Sequence, residues 1–159
     1  MAVAATFLDT SVLLAGLLDF GPQSAPAQSV MHAVAEKGLP SAGTAWHCCL
    51  EFYSVATRLP PEYRLSPADA AHLLEEEVFA RMAVHALPSA DRTRLFEAAA
   101  QDGTAGGRIY DAHIAEVARS VGAQVIVTDN RRHFLASLRH GIRVETPAEF
   151  LKSLKARRG

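Results

Sequence analysis

Four acidic residues lie inside or directly after apolar segments of this 159-residue chain, namely Asp9, Glu51, Asp111 and Asp129. Buried carboxylates are costly unless they are paired or bind a cation. Mg²⁺ and Mn²⁺ prefer oxygen ligands, and one or two such ions can activate water and stabilise the leaving oxygen of a phosphodiester. The set therefore predicts metal-assisted phosphodiester hydrolysis, with all four carboxylates as catalytic and metal-ligating residues.

Each of these carboxylates also has a structural explanation. Asp9 would serve as a helix N-cap, and the negative charge of Asp111 would be favourable at a helix N-terminus. Asp129 would belong to a turn, and Glu51 would pair with Arg58 or with a dimer partner. The combination of the four, rather than any one of them, favours the chemical interpretation.

Apolar periodicity and helix-terminal signals predict the elements that carry these residues. Ser11, Thr44, Ser66 and Ser89 are expected N-caps, and Thr146 with Glu149 forms a capping box for the last helix. The predicted strands cover 3–8, 39–42, 82–87, 125–127 and 142–144. The predicted helices cover 12–18, 27–37, 44–59, 67–79, 89–101 and 109–121, with a short helix after 132 and a last one after 146.

Strands that alternate with helices and are apolar on both faces indicate an α/β fold. We expect a three-layer α/β/α arrangement with a central parallel sheet of four to five strands. Asp9 and Asp129 each directly follow a strand, and the carboxyl ends of parallel strands meet at one edge of the sheet. Glu51 and Asp111 fall on the apolar sides of their helices, so all four are expected to converge.

Length and composition fit one domain over residues 1–159, with 49% apolar and 21% charged residues. No apolar run approaches the roughly 20 residues needed to cross a bilayer, and the first residues lack a signal peptide, so we expect a cytoplasmic protein without membrane contact. Cys48 and Cys49 are adjacent, which is poor geometry for a disulfide. They are expected to be reduced and buried.

The formal net charge is −1, so composition alone does not indicate a nucleic-acid binder. From Arg131 onward, however, basic residues dominate and end in a basic tail over 152–159. Arg108, Arg131 and Arg132 are candidates for contacts with RNA phosphates. The alternative is a solvated face with structural ion pairs.

Four blocks of sequence contain these carboxylates: FLDTSVLL, LEFYSVATR, GGRIYDAHIAEVAR and VIVTDNRRHF. In this order they resemble the signature blocks of the PIN-domain family, and most closely the VapC-like toxins of type II toxin–antitoxin pairs. The resemblance extends from Phe7 to about Val144. It implies a parallel sheet with flanking helices, an endoribonuclease dependent on Mg²⁺ or Mn²⁺, a homodimer, and inhibition by a cognate antitoxin protein.

Carried over by position, the resemblance puts the family's acidic ligands on Asp9, Glu51 and Asp111, and its last-block hydroxyl on Thr128. Ser11 is expected to hydrogen-bond within the metal site. Many family members carry the fourth acid or amide two residues after the hydroxyl, which here is Asn130. Either Asp129 has taken over this role, or Asn130 orients a ligand or a water molecule.

Two other functions remain open from the sequence. One is a PIN-like module that binds RNA or protein without cutting, although intact carboxylates argue against it. The other is a small phosphatase. A phosphatase of the haloacid dehalogenase type would need an aspartate two residues after Asp9, where Ser11 stands. A zinc site at His47 and Glu51 lacks the HExxH arrangement, so a partly buried histidine is expected.

Overall fold

The computed structural model describes residues 5–39 and 41–158, the side chain of the last of these excepted. Its central feature is a sheet of five parallel strands in the order β3-β2-β1-β4-β5. The strands are β1 (Thr6–Leu8), β2 (Ala42–Ala45), β3 (Ala83–His85), β4 (Val125–Val127) and β5 (Arg143–Glu145). The predicted α/β class with a parallel sheet is confirmed.

Helices connect successive strands and flank the sheet. The α-helices are α1 (Thr10–Leu17), α2 (Ala25–Ala35), α3 (Trp46–Ala56), α4 (Pro67–Leu73), α5 (Arg92–Asp102), α6 (Arg108–Ser120) and α7 (Pro147–Arg158). A π-helix (Leu74–Phe79) continues α4, and 3-10 helices cover Pro22–Ser24, Ser89–Asp91 and Arg131–His140. The basic residues predicted as a C-terminal tail therefore lie on α7, from Lys152 onward.

The core lies against both faces of the sheet. Phe7 and Leu8 are neighbours in β1, so their side chains point to opposite faces, yet both are fully buried. Ile126 and Val127 in β4 show the same pattern. A strand that is buried on both faces requires cover on both sides of the sheet, which the apolar runs of the sequence had predicted.

Two of the predicted N-caps lie elsewhere in the structure. Thr44 is in β2 rather than at an N-cap, because β2 pairs in register with β1 and Thr44 Oγ1 donates to the carbonyl oxygen of Leu8 at 2.7 Å. Ser11 lies inside α1, which begins at Thr10 with Asp9 in the N-cap position. The hydroxyl of Ser11 points towards the carboxyl edge of the sheet instead.

Other predicted helix starts differ less. Ser66 caps α4 and accepts from the backbone N–H of Asp69, and Thr146 forms the predicted capping box with Glu149. Ser89 begins a 3-10 turn, and α5 starts only at Arg92. Residues 3 and 4 of the first predicted strand lie outside the described residues.

Cys48 and Cys49 are buried free cysteines, as predicted. Among the described helices, none combines the length and the apolar character that crossing a membrane requires.

Candidate active site

Asp9 is the most deeply buried of the predicted carboxylates, with 4% of its surface exposed. It directly follows β1, and its backbone N–H still donates to Val127 of β4 at 3.1 Å, so the end of the sheet fixes its position. Burial raises the pKa of Asp9, and hydrogen bonds from Thr128 and Ser11 offset this only in part. A buried carboxylate of this kind favours either a proton or a bound cation.

Two hydroxyls hold the carboxylate of Asp9 and also tie down the loop after β4. Thr128 Oγ1 donates to Asp9 Oδ2 at 2.8 Å and accepts from the backbone N–H of Asn130. Ser11 Oγ donates to Asp9 Oδ2 at 3.0 Å and accepts from the backbone N–H of Asp129. Ser11 and Thr128 therefore both donate hydrogen bonds to the same carboxylate oxygen, Asp9 Oδ2.

Glu51 reaches the same region from α3. Thr10 Oγ1 donates to Glu51 Oε1 at 3.0 Å, and His47 Nε2 lies 3.4 Å from the same oxygen one helical turn away. Partial burial raises the pKa of Glu51, and the negative charges of Asp9 and Asp111 add to this effect. The expected alternative, a pair with Arg58, is not formed among the described residues.

Asp111 lies in the first turn of α6, with 30% of its side chain exposed. Its Oδ2 atom is 3.1 Å from His133 Nδ1, in the 3-10 helix after β4. Partial burial raises the pKa of Asp111; His133 lowers it and the charge of Asp9 raises it further. Asp111 thus faces inward, as its helical position had predicted.

Asp129 and Asn130 follow β4 and are both exposed residues. Partial burial of the Asp129 carboxyl group, and then the negative charge of Asp9, raise the pKa of Asp129. Asn130 is held through its backbone N–H. Of these two residues, only Asp129 carries a charge that interacts with the charge of Asp9.

The structure therefore brings the four predicted carboxylates into one electrostatic neighbourhood centred on Asp9. Their donor chemistry suits a hard divalent ion, because carboxylate oxygens are the ligands that Mg²⁺ and Mn²⁺ prefer. Within the described residues, however, no three Asp, Glu, His or Cys side chains are arranged to hold an ion. The carboxyl oxygens of Glu51 and Asp111 contact Thr10 and His133 instead.

The structure adds three residues that the sequence analysis did not assign to the site: Thr10, His47 and His133. The sequence places His47 one helical turn before Glu51, but this spacing predicted only a partly buried histidine. His133 had no such signal, because it reaches Asp111 from an element that lies 22 residues further along the chain.

The candidate phosphate-binding arginines differ in their surroundings. Arg108 and Arg132 line a cleft of about 420 Å³ together with Asp111 and His133, and neither forms an ion pair among the described residues. Arg131 lies outside that lining, and its guanidinium is 3.4 Å from Glu149 Oε2. Arg108 and Arg132 thus lie in the cleft beside Asp111, whereas Arg131 lies outside the lining of that cleft.

These features define an α/β protein with an acidic, oxygen-rich site at the carboxyl edge of a parallel sheet. Residues 5–132 match the PIN domain. Ribonuclease VapC40 of Mycobacterium tuberculosis is 30% identical over 127 residues, which cover 77% of this chain and 85% of that protein. The chain belongs to the PIN-domain family.

Two further comparisons agree with this assignment. Ribonuclease VapC27 of Mycobacterium tuberculosis is 40% identical over 85 residues, which cover 54% of this chain and 60% of VapC27. The structure of DNA-bound VapBC from Salmonella typhimurium contains a chain that superposes with a TM-score of 0.63 at 21% identity, over 92% of this chain and 99% of that one. The second likeness concerns the fold alone.

Proposed function

We propose that this protein is a divalent-metal-dependent endoribonuclease, with Asp9, Glu51 and Asp111 as core ligands and Asp129 as the fourth acid. The observation that carries the proposal is the burial of Asp9 without a cationic partner among the described residues. The charge of Asp9 contributes to raising the pKa of each of the other three carboxylates. Mutual repulsion of this kind favours cation binding.

One or two Mg²⁺ or Mn²⁺ ions would supply water activation and stabilise negative charge at the phosphate. The residues of the chain then have distinct tasks. Thr128 and Ser11 hold the Asp9 carboxylate in place, while Thr10 and His47 hold Glu51.

We assign substrate binding to the cleft next to Asp111. Three arginines line it: Arg139 is paired with Asp102, whereas Arg108 and Arg132 form no ion pair among the described residues and would contact phosphates on either side of the cut. RNA is the proposed substrate because the VapC relatives are ribonucleases by name.

We also propose that the protein is the toxin of a toxin–antitoxin pair, acting in the cytoplasm as a homodimer of single-domain chains. Membership of the PIN-domain family and the fold shared with VapBC support this. Without metal, the carboxylates around Asp9 would attract a positive charge, so the antitoxin would insert a segment over the site, with an arginine towards the carboxylates.

The test is cleavage of a mixed structured RNA pool by antitoxin-free protein with Mg²⁺, with Mn²⁺ and with EDTA. We expect cleavage with either metal, none with EDTA, and none by Asp9→Asn or Asp111→Asn protein. Asp69→Asn, at an exposed aspartate in the first turn of α4, is the matched control and should cut normally. Circular dichroism establishes that each variant is folded.

Other outcomes would point to the competing functions. Binding of RNA without cutting by any form, with the fold intact, would favour a binding module. Hydrolysis of p-nitrophenyl phosphate without cleavage of RNA would favour a phosphatase.

A further inference from the structure

An aromatic cluster lies between α3 and α6. The ring of Tyr110 stacks on His47, with ring centroids 5.2 Å apart and planes only 6° from parallel. His47 in turn meets the ring of His113 edge to face, at 5.4 Å and 86°. Tyr110 is nevertheless 55% exposed. The cluster thus supports one face of the tyrosine ring and leaves much of the residue open to solvent.

The cluster is adjacent to two of the proposed ligands. Tyr110 immediately precedes Asp111 in the first turn of α6, and His47 Nε2 is 3.4 Å from Glu51 Oε1. Arg108, two residues before Tyr110, lines the neighbouring cleft. Surfaces that bind single-stranded nucleic acid combine basic residues with exposed aromatic rings, and Tyr110 and Arg108 supply one of each here.

We propose that Tyr110 is a stacking platform for an unpaired nucleobase next to the phosphodiester that is cut. This inference rests on the proposed ribonuclease function and concerns the residue that positions the substrate chain. Bases in an A-form duplex stack on one another and do not present their faces, whereas unpaired bases stack on aromatic side chains. The platform would thereby position the substrate chain over Asp9 and Asp111.

The test measures binding of a short, fluorescein-labelled, single-stranded oligoribonucleotide by fluorescence anisotropy. Asp9→Asn protein with Mg²⁺ serves as the background, so that the probe is not cut. Adding Tyr110→Ala should weaken binding roughly tenfold, since stacking of one base on an aromatic ring typically changes affinity by about five- to 160-fold. Tyr110→Phe keeps the ring and should stay within about twofold of the background.

Two controls separate stacking from general effects. Tyr63→Ala removes another partly exposed tyrosine, whose ring contacts Phe20 beyond the far end of α1, and should leave binding unchanged. A labelled RNA duplex should lose no affinity with Tyr110→Ala. Unchanged single-strand binding by Tyr110→Ala, an equal loss for the duplex, or no measurable binding of the probe by the background protein would each overturn the platform.

Cleavage kinetics distinguish this failure from failure of the proposed function. In an otherwise unmodified protein that cuts RNA, Tyr110→Ala should raise KM by about the same factor with a smaller change in kcat. If the protein cuts RNA and Tyr110→Ala leaves KM unchanged, the platform is wrong and the ribonuclease stands. If nothing is cut but Tyr110→Ala weakens single-strand binding, the ribonuclease function is wrong, and Tyr110 binds an unpaired base on a surface that does not cleave RNA.

Discussion

Thr128 Oγ1 donates a 2.8 Å hydrogen bond to Asp9 Oδ2 across 119 positions of sequence. The bond joins the ends of two neighbouring parallel strands, β1 and β4, and both residues are buried. Thr128 also accepts from the backbone N–H of Asn130. One hydroxyl therefore orients the central carboxylate and fixes the loop that carries Asp129.

Thr128→Val keeps the shape of the side chain but removes this hydroxyl. We expect roughly a tenfold or greater loss of RNA cleavage, because partners that orient metal ligands typically contribute 10- to 100-fold. The free energy of unfolding should fall by about 1–3 kcal/mol, since the part-buried N–H of Asn130 and the buried carboxylate of Asp9 both lose their partner. Urea denaturation measures it, and Thr128→Ser is the control that should retain most activity.

Asp9→Asn should raise the melting temperature at pH 7 in EDTA. The pKa of Asp9 is raised in the folded protein, so the folded state binds the proton more tightly than the unfolded chain, whose pKa is near 3.8. Its contribution to the free energy of unfolding therefore falls as pH rises above that value. Asparagine carries no such charge, and each kcal/mol of relief corresponds to about 2–4 °C in a chain of this size.

Calorimetry at several pH values tests the direction in which the stability difference between Asp9→Asn and the wild type changes with pH. The advantage of Asp9→Asn should shrink as pH is lowered towards 4, because the raised pKa of Asp9 increases the protonated fraction of the carboxyl in the folded state. Added Mg²⁺ should stabilise the wild type more than the variant, because a ligand that binds only the folded state shifts its stability. A variant less stable than the wild type at pH 7 in EDTA would contradict the electrostatic account of the site.

Asp129→Asn should reduce cleavage more than Asn130→Ala. The raised pKa of Asp129 reflects partial burial and the charge of Asp9, which couples Asp129 to the site, whereas the amide side chain of Asn130 carries no charge. Single-turnover cleavage at several Mg²⁺ concentrations measures the effect, and Asp129→Asn should require more Mg²⁺. The opposite order of the two variants would give the fourth position to Asn130.

Arg108→Ala and Arg132→Ala should each weaken RNA binding. Each should also reduce the slope of log Kd against log salt concentration by about one, which corresponds to the loss of one phosphate contact. Both residues line the cleft beside Asp111 and form no ion pair among the described residues. Arg131→Ala is the matched control, since Arg131 lies near Glu149 instead. Equal salt slopes for all three variants would show that the cleft does not bind the phosphate chain.

The sequence by itself determined the order of the elements, the parallel α/β class and the four acidic residues of the candidate site. Apolar periodicity is a local property, and it is recorded directly in runs such as Val125–Val127. Residues that follow parallel strands share one edge of the sheet, so Asp9 and Asp129 were predictable as neighbours without coordinates. The four blocks that contain the acidic residues, taken in order, also carried the resemblance to the PIN-domain family.

Only the tertiary structure decided which groups touch each carboxylate. Thr10 with Glu51 and His133 with Asp111 are contacts between separate elements, and nothing in local periodicity specifies them. Pairing between β1 and β2 likewise placed Thr44 in a strand although its residue type suits an N-cap. Hydrogen-bonding side chains have several local uses, and the register of distant strands selects one of them.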